Sequence, residues 1–202
     1  MNDDGGLRER KKIATREAIS AAALRLALEH GPQHVRVDDI AEAAGVSPRT
    51  YNNYFSSREQ AIVAAITAER ALRIGAALRA RPADEPLAEA VVEAVVEQYG
   101  EPPGDALLLI RSAPALRAEF VDTVAAIEQP LASAIAARTG STDDVATTVL
   151  AAAVSAATRV AVERWVRPTR AAELVVPQGV LADILRQVLA HVAPALRAAD
   201  PR

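Results

Sequence analysis

Residues 40–55 read IAEAAGVSPRTYNNYF. Ile40, Ala43 and Ala44 give a short helix one apolar side, and Gly45 ends it, because glycine turns the chain sharply with no Cβ to clash. Ser47 and Pro48 then open a second helix: a serine oxygen accepts from the free amides of the first turn, and proline is preset for the first helical position. Two short helices joined by a glycine turn form a helix-turn-helix, with Val46 plugging the angle between them. On the second helix Tyr51 and Phe55 are four apart and pack inward, whereas Pro48, Arg49, Asn52 and Asn53 fall on the opposite side.

The flanks extend this pattern. Residues 8–30 read as one helix with Ile13, Ala18, Ile19, Ala22, Leu24, Leu26 and Ala27 on a broad apolar face, closed by Gly31-Pro32. The seven residues before it read as disordered. Asp38 and Asp39 sit in the first turn of the next helix, where carboxylates suit the positive helix terminus. Ser57-Arg58-Glu59-Gln60 is a capping-box pattern that opens a fourth helix, predicted to run to Ala80 before the Arg81-Pro82 break. Further helices are predicted over 87–99, 105–111, 115–138, 143–166 and 179–199, with Pro130 kinking or splitting the third of these near Gln129. No strand alternation or internal repeat interrupts them, so the reading is all-α: an N-terminal three-helix helix-turn-helix head over residues 1–56 and a C-terminal helical domain over 57–202, with 57–80 as connecting helix.

Composition agrees. The 202 residues are 50% hydrophobic but only 3% aromatic, dominated by alanine and leucine, which favour helix. The absence of cysteine excludes disulfides, thiolate zinc sites and cysteine nucleophiles. His30, His34 and His191 match no metal-ligand or catalytic spacing, so no enzyme, metal or cofactor is expected. No apolar stretch is read as approaching the roughly 18 residues of a membrane span, and MNDDGG has no signal-peptide core, so a cytoplasmic protein without a membrane partner is expected. Net charge is −3 and the pI about 5.7, so affinity for nucleic acid must come from local clusters. Arg8, Arg10, Lys11, Lys12 and Arg16 against Glu9 alone form one such cluster.

The exposed edge of the second short helix carries the chemistry of base reading. Arginine matches guanine O6/N7 and asparagine matches adenine N6/N7, which assigns Arg49, Asn52 and Asn53 to base edges in the major groove. Thr50, Tyr54 and Arg58 are assigned to phosphates, and Ser47 and Pro48 to the helix start that faces them. A helix-turn-helix shape also occurs in many folds, where such side chains are merely solvated. Against that stands the clustering of three of the six aromatic residues at Tyr51, Tyr54 and Phe55.

Residues 13–66, from IATREAISAAALRLALEHG to VRVDDIAEAAGVSPRTYNNYFSSREQAIVAAI, resemble the DNA-binding domain of the TetR family of bacterial regulators. The resemblance implies a homodimer that binds double-stranded operator DNA through helices one to three. Arg36 then occupies a position where the family often has a phosphate-touching threonine, and Arg58 one where lysine is frequent. Asn52 stands where an aromatic is common, so the operator sequence does not carry over from relatives. Residues 107–117 and 151–166 resemble a branch described as having an acyl-CoA-like ligand domain, which implies a largely apolar small-molecule inducer. Leu107, Ile110, Arg111, Phe120, Val124, Ile127, Thr158 and Arg159 are the candidate lining, with Arg111 and Arg159 open either to an anionic head group or to ordinary salt bridges such as Arg159 with Glu163.

The last two predicted helices are expected to build the dimer interface, through the stripe Val180, Leu181, Ile184, Leu185, Val188, Leu189, Val192, Ala195 and Leu196. The first of the two, over 143–166, is apolar nearly all round from Val149 to Ala157 and needs cover on more than one side, which a four-helix bundle across a two-fold axis supplies. The rival reading is a DNA-binding regulator with no small-molecule switch, answering to a protein partner or acting constitutively.

Overall fold

Alanine loses no side-chain entropy in a helix, and the computed structural model is built of helices joined by turns and loops, with no strand among its described residues, 3–67, 70–99, 104–167 and 181–201. The helices are α1 (Asp3–His30), α2 (Val37–Ala43), α3 (Pro48–Asn52), α4 (Arg58–Thr67), α5 (Arg70–Ala80), α6 (Leu87–Gln98), α7 (Gly104–Ser112), α8 (Pro114–Asp122), α9 (Glu128–Thr139), α10 (Asp144–Val166), α11 (Leu181–Leu189) and α12 (Ala193–Ala198), with 3₁₀ turns at Pro32–His34 and Thr123–Ile127. The chain divides into two compact units, Met1–Ala68 with Pro103–Glu119, and Glu69–Pro102 with Phe120–Arg202.

In the first unit α1 lays its apolar face on α4 and α2, burying Ile19, Ala23 and Ala27 with Ile40, Ala41, Ile62 and Val63. Helix α1 begins at Asp3, earlier than its predicted start at Arg8, and so replaces the expected disorder before it.

In the second unit α5, α6 and α9–α11 enclose Ile74, Leu78, Val91, Val95, Leu131, Ile135, Val154 and Val162. The helix predicted over 115–138 is split, into α8 and α9 separated by the 3₁₀ turn Thr123–Ile127 just before Pro130. Proline needs a position whose amide is free, and this break puts Pro130 in the first turn of α9, where amides have no intrahelical partner. Gly75 of α5 meets it closely: a Cβ there would lie 2.9 Å from the Pro130 carbonyl oxygen. The helix predicted over 179–199 likewise splits, with Pro194 in the first turn of α12; Gly179 and Val180 lie outside the described residues.

Two further expectations are corrected. Most of the stripe on α11 and α12 is spent inside the chain, where Leu181, Ile184, Leu185, Leu189 and Leu196 are buried against α10 and α6, while Val188 and Val192 are half-buried and Ala195 is exposed. And α10, Asp144–Val166, is long and apolar enough by composition to cross a membrane, with a mean hydropathy of 1.7 over its best window. It packs against α9 and α11 and buries Thr147, Ser155 and Thr158 among its apolar residues.

Candidate nucleic-acid interface and ligand-binding core

Helix α3 is built as an outward-facing element by short-range chemistry. Gly45, with φ 67°, reverses the chain after α2. The Val46 amide donates to the Ala41 carbonyl at 2.9 Å. Ser47 caps α3: its Oγ accepts from the Thr50 amide at 3.1 Å and lies 2.9 Å from the Thr50 hydroxyl. That leaves Pro48, Arg49, Asn52 and Asn53 exposed along one edge.

The opposite edge is anchored. Tyr51 and Phe55 are buried with ring centroids 5.9 Å apart, and the Tyr51 hydroxyl donates to the Ser57 carbonyl at 2.8 Å. Burial, reinforced by the charge of Glu59, pushes the Tyr51 phenol up to about 12, so it remains a neutral donor. Arg16 of α1 completes the mount. Its Nη1 donates to the Tyr54 carbonyl at 3.2 Å and its guanidinium stands 4.5 Å above the Phe55 ring.

Around this edge, Arg36 is exposed at the start of α2, its backbone N–H donating to the Asp39 carboxylate at 3.2 Å. Tyr54 is half-buried beside Asn53. Arg58 is committed to the scaffold: Nε donates to Glu59 at 2.8 Å, and Nη1 to the carbonyls of Val35 at 2.8 Å and Gln33 at 3.3 Å. Arg8, Arg10, Lys11 and Lys12 are exposed on the first turns of α1.

The predicted ligand residues are distributed unevenly. Phe120, Val124, Ile127 and Thr158 are all buried in the second unit, with the Thr158 hydroxyl donating to the Val154 carbonyl at 2.8 Å. Ile110, buried, and Arg111, half-buried, belong to the first unit. The Leu107 side chain lies outside the described residues. Arg159 is exposed, and Glu163 pairs with Arg167 at 2.7 Å in place of the predicted pairing with Arg159.

Sequence reasoning missed Arg70 and Tyr99. The Arg70 guanidinium sits over the Tyr99 ring at 4.7 Å and the Phe120 ring at 5.3 Å. Nothing local in the sequence marks them, since the partners come from three separate helices or helix ends. A recess of about 380 Å³ lies elsewhere in the second unit, between α6 and the α11–α12 pair, and is spanned by ion pairs from Arg186 to Glu93 at 3.0 Å and from Arg197 to Glu89 at 3.2 Å.

Residues 19–65 match the family model for bacterial regulatory proteins of the tetR family, and residues 85–197 match that for the MftR C-terminal domain. The chain is 36% identical over 174 residues to the HTH-type transcriptional regulator TcmR of Streptomyces glaucescens, covering 79% of this chain and 76% of that protein. It is 43% identical over 51 residues to the regulator BetI of Rhizobium meliloti, covering 25% of each. Among solved structures it resembles Thermus thermophilus FadR, a TetR-family repressor in complex with lauroyl-CoA, at 22% identity and a TM-score of 0.57, covering 88% of this chain and 92% of that one.

Proposed function

The chain belongs to the TetR family of bacterial transcriptional regulators, and from that premise we propose that it is a homodimeric repressor, acting in the cytoplasm, that holds a palindromic operator and releases it when a largely apolar small molecule enters its C-terminal domain. Residues 1–56 serve as the reading head and 57–202 as the ligand-binding and dimerisation domain. The observation that carries the reading is the edge of α3: Arg49, Asn52 and Asn53 exposed together on a helix whose other side is fixed by Tyr51 and Phe55. In this reading the edge enters a major groove, and Thr50, Tyr54 and Arg36 contact phosphates.

Dimerisation is supported by α10. Val145, Val149 and Val160 are 67%, 61% and 48% exposed in the single chain. With Ala156 they recur at helical spacing along one face, the self-complementary kind of surface a two-fold axis covers. Ligand binding is supported by the buried cluster Phe120, Val124, Ile127 and Thr158, and by the lauroyl-CoA held by a repressor of the same fold. A ligand releases DNA only by favouring the DNA-free arrangement of the two heads.

Selection of bound duplexes from a random DNA pool, followed by titration of the selected complex with lauroyl-CoA, tests both halves. A two-fold symmetric consensus and its release by lauroyl-CoA are expected. A consensus with no symmetry removes the dimeric reader, and a complex that resists lauroyl-CoA and other long-chain acyl thioesters removes the acyl-thioester switch.

A further inference from the structure

Arg70 stands at the start of α5 and carries its guanidinium between Tyr99 and Phe120, which are 2% and 1% exposed. Its Nη1 is buried, and no described residue accepts a hydrogen bond from it. Among the described residues no carboxylate stands beside it either. Burial lowers the pKa of this guanidinium, the Tyr99 phenol opposes that shift, and the charge of Arg73 adds to it. Other cations of the second unit find acceptors for their charge: Arg81 is paired with Glu85, and Arg138, although its Nε is also buried without a partner, donates through its Nη atoms to the carbonyls of Arg81, Pro82 and Glu85.

Two aromatic faces return part of the cost of burying a cation, but a buried charge without a counter-ion or acceptor remains unfavourable. A polar atom left over in a packed interior asks for a partner. Arginine can afford one here because its planar fork keeps one N–H edge free while its faces stack on rings. Tyr99 adds a second donor: burial pushes its phenol up to about 12, so it offers an O–H and no negative charge.

We propose that Arg70 is the anion anchor of the ligand-binding domain, donating from Nη1 to a carboxylate or phosphate oxygen of an otherwise apolar ligand while Tyr99 and Phe120 hold the guanidinium in place. The proposal rests on the reading of this domain as a small-molecule receptor and narrows its ligand to an anionic amphiphile. Neither of the arginines singled out by sequence, Arg111 and Arg159, stands in this position.

The test uses the full chain, wild type, Arg70→Met and Arg70→Lys, with three probes: laurate, which brings a carboxylate, lauroyl-CoA, which brings phosphates, and dodecan-1-ol, which brings neither. Calorimetric titration is expected to show Arg70→Met weakening laurate or lauroyl-CoA at least tenfold, with dodecan-1-ol within threefold of wild type and Arg70→Lys intermediate. Loss confined to laurate assigns the carboxylate, and loss confined to lauroyl-CoA the phosphate. Without ligand, Arg70→Met is expected to melt at or above the wild-type Tm, because an uncompensated buried charge has been removed. A melt several degrees lower assigns Arg70 to packing and overturns the anchor. So do unchanged affinities for both anions, which leave the receptor reading standing. If none of the three probes binds wild type, the receptor reading fails and the anchor with it.

Discussion

Tyr51→Phe keeps the ring that mounts α3 and deletes one hydroxyl, so its effect is calculable. Near pH 8 the variant loses the hydrogen bond to the Ser57 carbonyl at 2.8 Å, which costs about 1 kcal/mol with the acceptor left half-buried. The loss should shrink as pH rises. In the folded chain burial, reinforced by the charge of Glu59, pushes the phenol up to about 12, against 10.0 for a free tyrosine. A folded pKa above the unfolded one means stability that is complete below pH 10 and is lost as pH climbs through 12, because the unfolded chain releases its proton first. At pH 11 this amounts to about 1.4 kcal/mol in wild type and nothing in the variant. The two effects then nearly cancel, and the curves of stability against pH cross near pH 11. Tyr99, also shifted upward, is present in both proteins and drops out of the difference. Urea denaturation at pH 8, 10 and 11, at one protein concentration, measures this directly. A Tyr51→Phe penalty that stays constant from pH 8 to pH 11 would refute the burial of the hydroxyl as the cause of the shift.

Other substitutions probe separate elements. Gly75→Ala forces a Cβ to 2.9 Å from the Pro130 carbonyl oxygen; overpacking at about 1–3 kcal/mol outweighs or matches the gain in helix propensity, so thermal melts should show no stabilisation and a Tm lower by a few degrees. Asn52→Ala and Asn53→Ala should each cost on the order of 1–3 kcal/mol on the selected operator and relax base preference, whereas Arg58→Ala should lower the Tm as well as DNA affinity, since its guanidinium holds the Gln33 and Val35 carbonyls. Val149→Glu with Val160→Glu should yield monomers in sedimentation velocity with the helical circular dichroism intact; a variant that remains dimeric moves the interface off α10.

The reading head was legible because its signals are local. Gly45 needs a left-handed backbone, Ser47 needs the Thr50 amide, and Tyr51 and Phe55 need only helical spacing to share a side. Arg16 was not legible as the brace of α3, since its acceptor at Tyr54 lies 38 residues away and its basic neighbours make it look like one more solvated cation. Arg70 escaped for the same reason. Its meaning depends on Tyr99 and Phe120 arriving on either side of it, and no periodicity announces that.

Amphipathicity says that a face is covered and not by what, and α11 and α10 illustrate the two outcomes. Leu181, Ile184, Leu185 and Leu189 form as clean a stripe as the chain contains, and the obvious inference gave that stripe to a second subunit. But α6 and α10 of the same chain meet it, so α11 is an inward helix. Helix α10 has the weaker pattern because it is apolar on two sides. One side is consumed by α9 and α11, burying Val154, Ala161 and Val162, and the other leaves Val145, Val149 and Val160 in water. A helix with one polar face needs nothing further once its core side is packed, whereas a helix with two apolar faces retains a driving force of about 25 cal/mol for each Å² of apolar surface it can still bury. The residues that argue for a second subunit are therefore those of the less periodic helix.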